Sequence, residues 1–203
     1  MKIKQIPGVP IQKSGGFHDT ESRKDYDTPS VASEKFDILK ERFFSINQWK
    51  SFSGAVFADF TLYNSNGNPI KQLPEVGDFI RIDIPGPGET EAKGYDWVEI
   101  INISHQQADE SESYIMTCRP SQIPGITNNS HIAHFYSQAS TSTFMIQREG
   151  SLIKAGIYGR NEKPNFNARF IDKIRNLLIA LGGMCGFSKI QWKSLTDGLL
   201  DFT

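Results

Sequence analysis

The sequence predicts an α+β fold in which a curved antiparallel sheet packs on a long C-terminal helix. Two observations lead to this prediction. Residues 165–181 repeat apolar side chains at helical spacing, with Phe170, Ile174 and Leu177 on one face. Residues 54–160 instead alternate apolar and polar side chains in short segments separated by turn signals. A helix of this length is marginal in water without tertiary packing, so the sheet is its expected partner.

A second, extra helix is predicted at the C-terminus, over residues 189–200. Ser188 and Gln191 have the spacing of a capping box, in which each side chain satisfies a free backbone N–H group near the helix start. The helix carries a further apolar stripe formed by Trp192, Leu195 and Leu199.

The N-terminal part divides into an arm and a helix. Residues 1–28 hold two prolines, a Gly-Gly pair and mixed charges, which predicts an irregular arm without a strand. Pro29 fits the first turn of a helix, where its missing N–H group costs nothing. The buried face of that helix is predicted to contain Phe36, Leu39, Phe43 and Ile46, and Trp49 follows its end. We therefore expect an arm over 1–28 and a single α+β domain over 29–203.

Alternation and turn residues delimit the predicted strands. The first four are expected at 54–63, 79–84, 95–104 and 114–119, with a polar turn at 105–112. A hairpin follows, in which Glu149 and Gly150 are the predicted turn and Arg148 is placed opposite Ser151. That register puts five apolar residues on the face toward the C-terminal helix: Phe144, Ile146, Ile153, Ala155 and Ile157. The opposite face carries Thr143, Gln147, Lys154 and Tyr158.

Composition excludes several classes of function. The 22 basic residues nearly balance the 23 acidic ones and form no cluster, which argues against a dedicated nucleic-acid surface. The first residues lack the apolar segment of a signal peptide, and no window is apolar enough for a membrane span. These features predict a cytoplasmic protein without a membrane span.

Motifs for catalysis, metals or cofactors are weak. His131 and His134 would point to opposite faces of a strand, so the sequence predicts neither a metal site nor a cofactor. Neither cysteine has a catalytic signature. Asp96, Glu99 and His134 are the acid–base candidates, although no spacing ties them together. Arginines at the ends of predicted strands could instead hold an anionic group; these are Arg119, Arg148 and Arg160.

The order of elements resembles the helix-grip fold of the START and polyketide-cyclase (SRPBCC) superfamily. The helix around 36–46 followed by Trp49, the turn Val76-Gly77-Asp78 before a middle strand, and the helix at 170–181 carry the resemblance. It covers residues 30–185 and implies a sheet wrapped around the C-terminal helix. The chain departs from the pattern because it shows no first strand, adds the arm, and adds the last helix. Three short stretches, 82–88, 95–97 and 159–162, also resemble a signature of bacterial proteins, which implies no function.

Three hypotheses for function follow. The first is a non-catalytic protein that binds a small, partly apolar or amphipathic molecule between sheet and helix. Large side chains on or near the strands are its expected lining: Trp49, Trp97, Tyr114, Met116, Arg119 and Tyr136. The second is an interaction module that forms a homo-oligomer or binds a protein partner through the arm and Trp192, Leu195 and Leu199. The third is a cyclase- or hydratase-like enzyme in the same pocket, although the absence of a catalytic motif favours a non-enzyme.

Overall fold

The computed structural model describes residues 3, 5–54, 58–83, 95–125, 132, 134, 136–164 and 184–202, with side chains from residue 190 in the last segment. The helices are α1 (Pro29–Phe44), a 3-10 turn (Ile46–Gln48), α2 (Trp49–Ser53) and α3 (Met184–Leu199). The strands are β1 (Gly16–Asp25), β2 (Asp59–Tyr63), β3 (Phe79–Asp83), β4 (Asp96–Ala108), β5 (Ser111–Pro120), β6 (Thr141–Glu149) and β7 (Leu152–Glu162).

The seven described strands form one curved antiparallel sheet in the order β1-β7-β6-β5-β4-β3-β2. Strands β2 to β7 follow one another as a meander, and β1 adds to the edge of β7. Helices α1 and α2 connect β1 to β2, which lie at opposite edges, and pack with α3 on the same face of the sheet. We call this the inner face and the other the outer face. This helix-grip-like α+β arrangement confirms the predicted fold class.

Helix α1 has the predicted start and buried face. The Thr28 side chain caps it by accepting the Val31 N–H at 3.3 Å, and Pro29 occupies the first helical position. Phe36, Leu39 and Phe43 are buried against the inner face, as predicted. Trp49 begins α2 and lies in the same core.

The expectation that no strand precedes α1 is wrong, because residues 16–25 of the predicted arm form β1. The strand buries His18, Thr20 and Ser22 on the inner face and exposes the charged residues between them. Ser22 bonds Thr196 Oγ1 of α3 at 2.8 Å. The buried positions are polar because their partners are polar, so the strand has alternation of burial without alternation of hydrophobicity.

The β4–β5 hairpin is longer than predicted. Residues 105–112, expected to be a polar turn, continue both strands up to a turn at 109–110. His105 stacks on Tyr114 with ring centroids 4.3 Å apart. Both faces of the β4 end are largely exposed, so the sequence there lacks the apolar positions that mark a half-buried strand.

The predicted faces of the β6–β7 hairpin are confirmed, but the predicted register is wrong by two residues. The turn is Gly150 and Ser151, and Ile146 pairs with Ala155 instead of Ile153. Gly150 has a φ of 56°, and a tight hairpin turn needs positive φ at its first central residue, where glycine fits and Glu149 would not. A shift of two residues preserves the side-chain faces. All five predicted residues therefore lie in the inner core: Phe144, Ile146, Ile153, Ala155 and Ile157.

One of the two predicted C-terminal helices cannot be compared with the structure, and the other begins earlier than predicted. The helix expected at 165–181, with Phe170, Ile174 and Leu177 facing the hairpin, lies outside the described residues. The last helix begins at Met184, so Ser188 lies inside it and is not its cap. The apolar stripe of this helix, predicted to bind a partner, packs within the chain. Leu195 and Leu199 are buried, and the centroid of the Trp192 ring lies 5.7 Å from that of Phe144. These contacts lie within the chain, and a homo-oligomer or a protein partner bound through these three residues stays a prediction.

The outer face is partly covered by the N-terminal arm. Ile6 and Val9 bury themselves against three outer-face residues, Ile115, Met145 and Tyr158. The outer side of the β6–β7 hairpin is therefore not uniformly solvated: Tyr158 is buried and donates its hydroxyl to Glu21 at 2.7 Å. Burial, reinforced by that carboxylate, raises the pKa of Tyr158 well above its usual range.

Asn161, on β7, binds the N-terminal arm through hydrogen bonds, and its substitution tests this contact. Its Oδ1 accepts the N–H groups of Lys13 (2.7 Å) and Ser14 (3.2 Å), and its own N–H donates to Gln12 Oε1. Asn161→Ala is expected to lower the free energy of unfolding by about 1–3 kcal/mol, because it removes the one acceptor of both N–H groups at a left-handed backbone position. Amide hydrogen exchange at Lys13 and Ser14 should accelerate. Asn161→Asp keeps the acceptor, so the amides of Lys13 and Ser14 should stay protected from exchange. Equal exchange rates in the two variants would contradict the role of Asn161 in holding the arm.

Candidate functional site

Near β1, the inner face changes from apolar to polar in the direction of the strands. The rows that include Ile157 and Ala155 are continuous hydrophobic core. The next row runs from His18 through Gly159, Ser142 and Cys118 to Ile100. A polar corner therefore lies on the same surface as the apolar core.

His18 and Glu162 form a buried pair at this corner. His18 Nδ1 lies 2.7 Å from Glu162 Oε1, and the side chains are only 6% and 5% exposed. Glu162 reaches His18 because the register between β1 and β7 shifts between Gly16 and His18, next to the left-handed backbone of Asn161. The irregularity places an imidazole and a carboxylate, 144 residues apart in sequence, in direct contact.

Gly159 provides the space for this pair. A Cβ atom at this position would overlap both Glu162 Oε1 and His18 Nδ1. The ring and the carboxylate therefore lie directly over the Gly159 backbone. Any larger residue at 159 would have to displace one of them.

The pairing fixes which imidazole nitrogen is available. A carboxylate only accepts hydrogen bonds, so with Glu162 in the carboxylate form it is Nδ1 of His18 that carries the shared proton. Nε2 is the second polar atom of the ring; it is buried and has no hydrogen-bond partner among the described residues. In the neutral ring Nε2 accepts a hydrogen bond, and in the charged ring it donates one. A hydroxyl group, which does both, can partner either form.

Three of the predicted ligand residues lie on the inner face. Trp49 and Met116 are fully buried in the core, and the Trp49 indole N–H donates to the carbonyls of Arg42 and Phe43, both at 3.2 Å. Tyr114 is partly buried against the core and donates to Glu112 at 2.9 Å. These contacts account for their burial through protein packing.

The other three predicted ligand residues lie elsewhere. Trp97 and Arg119 lie on the outer face, where Arg119 Nη2 pairs with Glu99 Oε2 at 2.8 Å. Tyr136 is buried, and its backbone pairs with that of Pro164 in an isolated antiparallel β-bridge. The six residues therefore do not surround one described space, and a ligand role for each stays a prediction.

The acid–base candidates are not brought together either. Asp96 is on β4 with its side chain buried, while Glu99, three residues later, pairs with Arg119. His134 lies in the loop before β6 and its Nδ1 accepts the Tyr136 N–H at 2.9 Å. His131 lies outside the described residues, which contain no cluster of metal-ligating side chains. Burial also raises the pKa of the Cys118 thiol well above its usual range, which makes it a poor nucleophile.

His134 should make stability depend on pH. Burial lowers its pKa from 6.5 to about 3, so the unfolded chain binds the proton first as pH falls. Its contribution is complete above the unfolded pKa and is lost between about pH 6.5 and pH 3, by up to about 1.4 kcal/mol per pH unit. Urea unfolding at several pH values should show a shallower dependence in His134→Asn. Equal slopes in the wild-type protein and in His134→Asn would contradict the assignment.

Sequence reasoning missed the His18–Glu162 pair for identifiable reasons. His18 belongs to the predicted irregular arm, and Glu162 lies beyond the predicted hairpin. The one local signal is Gly159, one of two glycines in β7, since a strand glycine often marks a close approach or a bulge. Such a signal does not name the residue that approaches.

Comparisons with known proteins show distant structural similarity only. The crystal structure of ginseng major latex-like protein 151 from Panax ginseng aligns with a TM-score of 0.34 at 9% identity, covering 92% of this chain and 97% of that chain. The crystal structure of Ara h 8.0201 aligns with a TM-score of 0.33 at 12% identity, covering 89% and 99%. No protein-family model and no curated protein matches the sequence. Among the described residues no helix could span a membrane.

Proposed function

We propose that the protein binds a small, partly apolar molecule that carries a hydroxyl group, at the polar corner of the inner face. The observation that carries the proposal is the buried Nε2 of His18, held in place by Glu162 and without a partner among the described residues. A buried polar atom left unsatisfied costs about 1–3 kcal/mol, which a bound hydroxyl would recover. The apolar body of the ligand would contact the neighbouring row of the core.

The residues next to the corner support a ligand with two kinds of surface. Ile157, Phe144 and Met116 form the adjacent row across β7, β6 and β5, and all three are buried and apolar. Small-molecule sites combine such walls with a few fixed polar groups that set orientation. In this proposal His18 is the orienting group and Glu162 is its positioning residue. Of the residues predicted as lining, Met116 is then part of the apolar wall, and Trp49 and Tyr114 support it.

A matched pair of ligands tests this proposal. 4-Propylphenol and propylbenzene differ by one hydroxyl group, and calorimetric titration gives their affinities. We expect the phenol to bind at least tenfold more tightly than the hydrocarbon, and His18→Leu to abolish this difference while leaving the hydrocarbon affinity unchanged. Equal affinity of the wild-type protein for both compounds would contradict the proposal. Thermal unfolding of His18→Leu shows whether a lost signal reflects the site or the fold.

The same pair favours acid–base catalysis as a second candidate function. A carboxylate that holds Nδ1–H leaves Nε2 of a neutral imidazole as a base, the arrangement needed to remove a proton next to a carbonyl group. The proton would pass to Nε2 and return from it. Deuterium exchange into the α-position of 4-phenyl-2-butanone, followed by NMR, should be faster with wild-type protein than with His18→Leu or Glu162→Gln. Exchange at the buffer rate would leave binding as the function.

A further inference from the structure

We propose that Arg81 and Trp97 form a second binding site, on the outer face of the sheet, for a small aromatic carboxylate. The two residues are direct cross-strand partners on β3 and β4. They alternate with Ile80, Ile82 and Val98, which belong to the inner core, so both side chains lie on the opposite face from His18. The proposal is therefore independent of the inner-face function.

Both residues present a buried donor without an acceptor. Trp97 is only 5% exposed, and its indole Nε1 has no hydrogen-bond partner among the described residues. Arg81 Nε is likewise buried and unpartnered, although its two terminal nitrogens bond Tyr63 Oη and Thr61 Oγ1, each at 3.1 Å. An indole N–H and a guanidinium N–H only donate, so whatever satisfies them must be an acceptor.

The charge of Arg81 selects an anion among acceptors. Within the described chain its guanidinium forms no ion pair, whereas the neighbouring carboxylates are engaged: Asp59 with Lys50 at 3.5 Å and Glu99 with Arg119 at 2.8 Å. Asp83, opposite Asp59, has no ion pair with Arg81 either. A ligand carboxylate offers two oxygens, one for each orphaned donor, and a charge that Arg81 would neutralise.

The walls of the site select an aromatic body. The guanidinium of Arg81 lies 4.3 Å from the ring centroid of Tyr95, and the Tyr63 ring meets Trp97 edge to face at 4.9 Å. Phe79 and Ile123 complete this cluster around Trp97. Rings favour edge-to-face and offset contacts with other rings, so an aryl group attached to the carboxylate would continue the cluster.

Titration with phenylacetate, observed by NMR, tests the proposal. The protein has three tryptophans, and the indole signal that disappears in Trp97→Phe identifies Trp97. We expect phenylacetate to shift that signal in a saturable way, and acetate or phenylacetamide to bind at least tenfold more weakly. Arg81→Lys keeps the charge but loses the Nε donor, and should weaken phenylacetate binding at least tenfold.

The matched control is another arginine on the outer face. Arg119→Lys changes a guanidinium already paired with Glu99, and should leave the affinity for phenylacetate unchanged. An unmoved Trp97 signal would overturn the proposal and leave the two donors to ordered water. If acetate bound as tightly as phenylacetate, the site would be a general anion contact. If phenylacetamide bound as tightly as phenylacetate, the carboxylate would have no role. Either outcome would also overturn the proposal. The wild-type comparison of ligands decides the matter even if Arg81→Lys does not fold.

Discussion

Ile146→Asp is expected to unfold the protein, whereas Gln147→Asp should leave it folded. Ile146 lies in the middle of β6 with no exposed surface and belongs to the inner core beneath the helices. A carboxylate there is either buried without a partner or forces β6 away from the helices. Each outcome costs several kcal/mol, against a typical total stability of about 5–15 kcal/mol.

Gln147 is the matched control because it is the next residue on the same strand. Its side chain points to the outer face beside the N-terminal arm and is only half-buried. Circular dichroism during heating should show a cooperative transition for Gln147→Asp and none for Ile146→Asp. Similar melting temperatures for both variants would show that the assignment of the faces is wrong.

Gly198→Ala is expected to destabilise the protein although alanine is the better helix former. In an exposed helix this change gains about 1 kcal/mol. Here a Cβ on Gly198 would overlap the backbone carbonyl of Phe52, because α3 crosses α2 at this point. The two helices would have to separate, and overpacking of this kind costs about 1–3 kcal/mol.

Urea denaturation of Gly198→Ala measures the sign of this effect. Ser194→Ala, one turn earlier on α3, is the control and should change the free energy of unfolding by less than about 0.5 kcal/mol. A more stable Gly198→Ala would mean that α2 and α3 do not approach closely at this glycine.

The predictable parts of the fold are those where burial and hydrophobicity coincide. Helix α1 shows this, because Pro29 marks its start and the buried positions Phe36 and Leu39 have helical spacing. The β6–β7 hairpin is predictable only in part. Its apolar residues fix the faces, but the exact turn depends on which residue takes positive φ, and Gly150 decides that one position later than expected.

The parts that could not be predicted are those where polar residues are buried against each other. Strand β1 places Ser22 against Thr196 and His18 against Glu162, so each buried group depends on a residue far away in sequence. The sequence predicts Tyr158 on a polar face, but the arm covers it with Ile6 and Val9. The local spacing of apolar residues does not indicate which distant residues will meet. For this reason the candidate site could be identified only in the structure.

Nitrogen-15 NMR of the histidine side chains tests the central proposal, that His18 is the polar anchor of an inner-face ligand site, most directly. The protein has four histidines, and the signals lost in His18→Leu identify the ring. The proposal predicts a protonated Nδ1 in the free protein and a shift of the Nε2 signal when 4-propylphenol is added, with no shift on adding propylbenzene. An Nε2 signal that stays unchanged at saturating 4-propylphenol would contradict it.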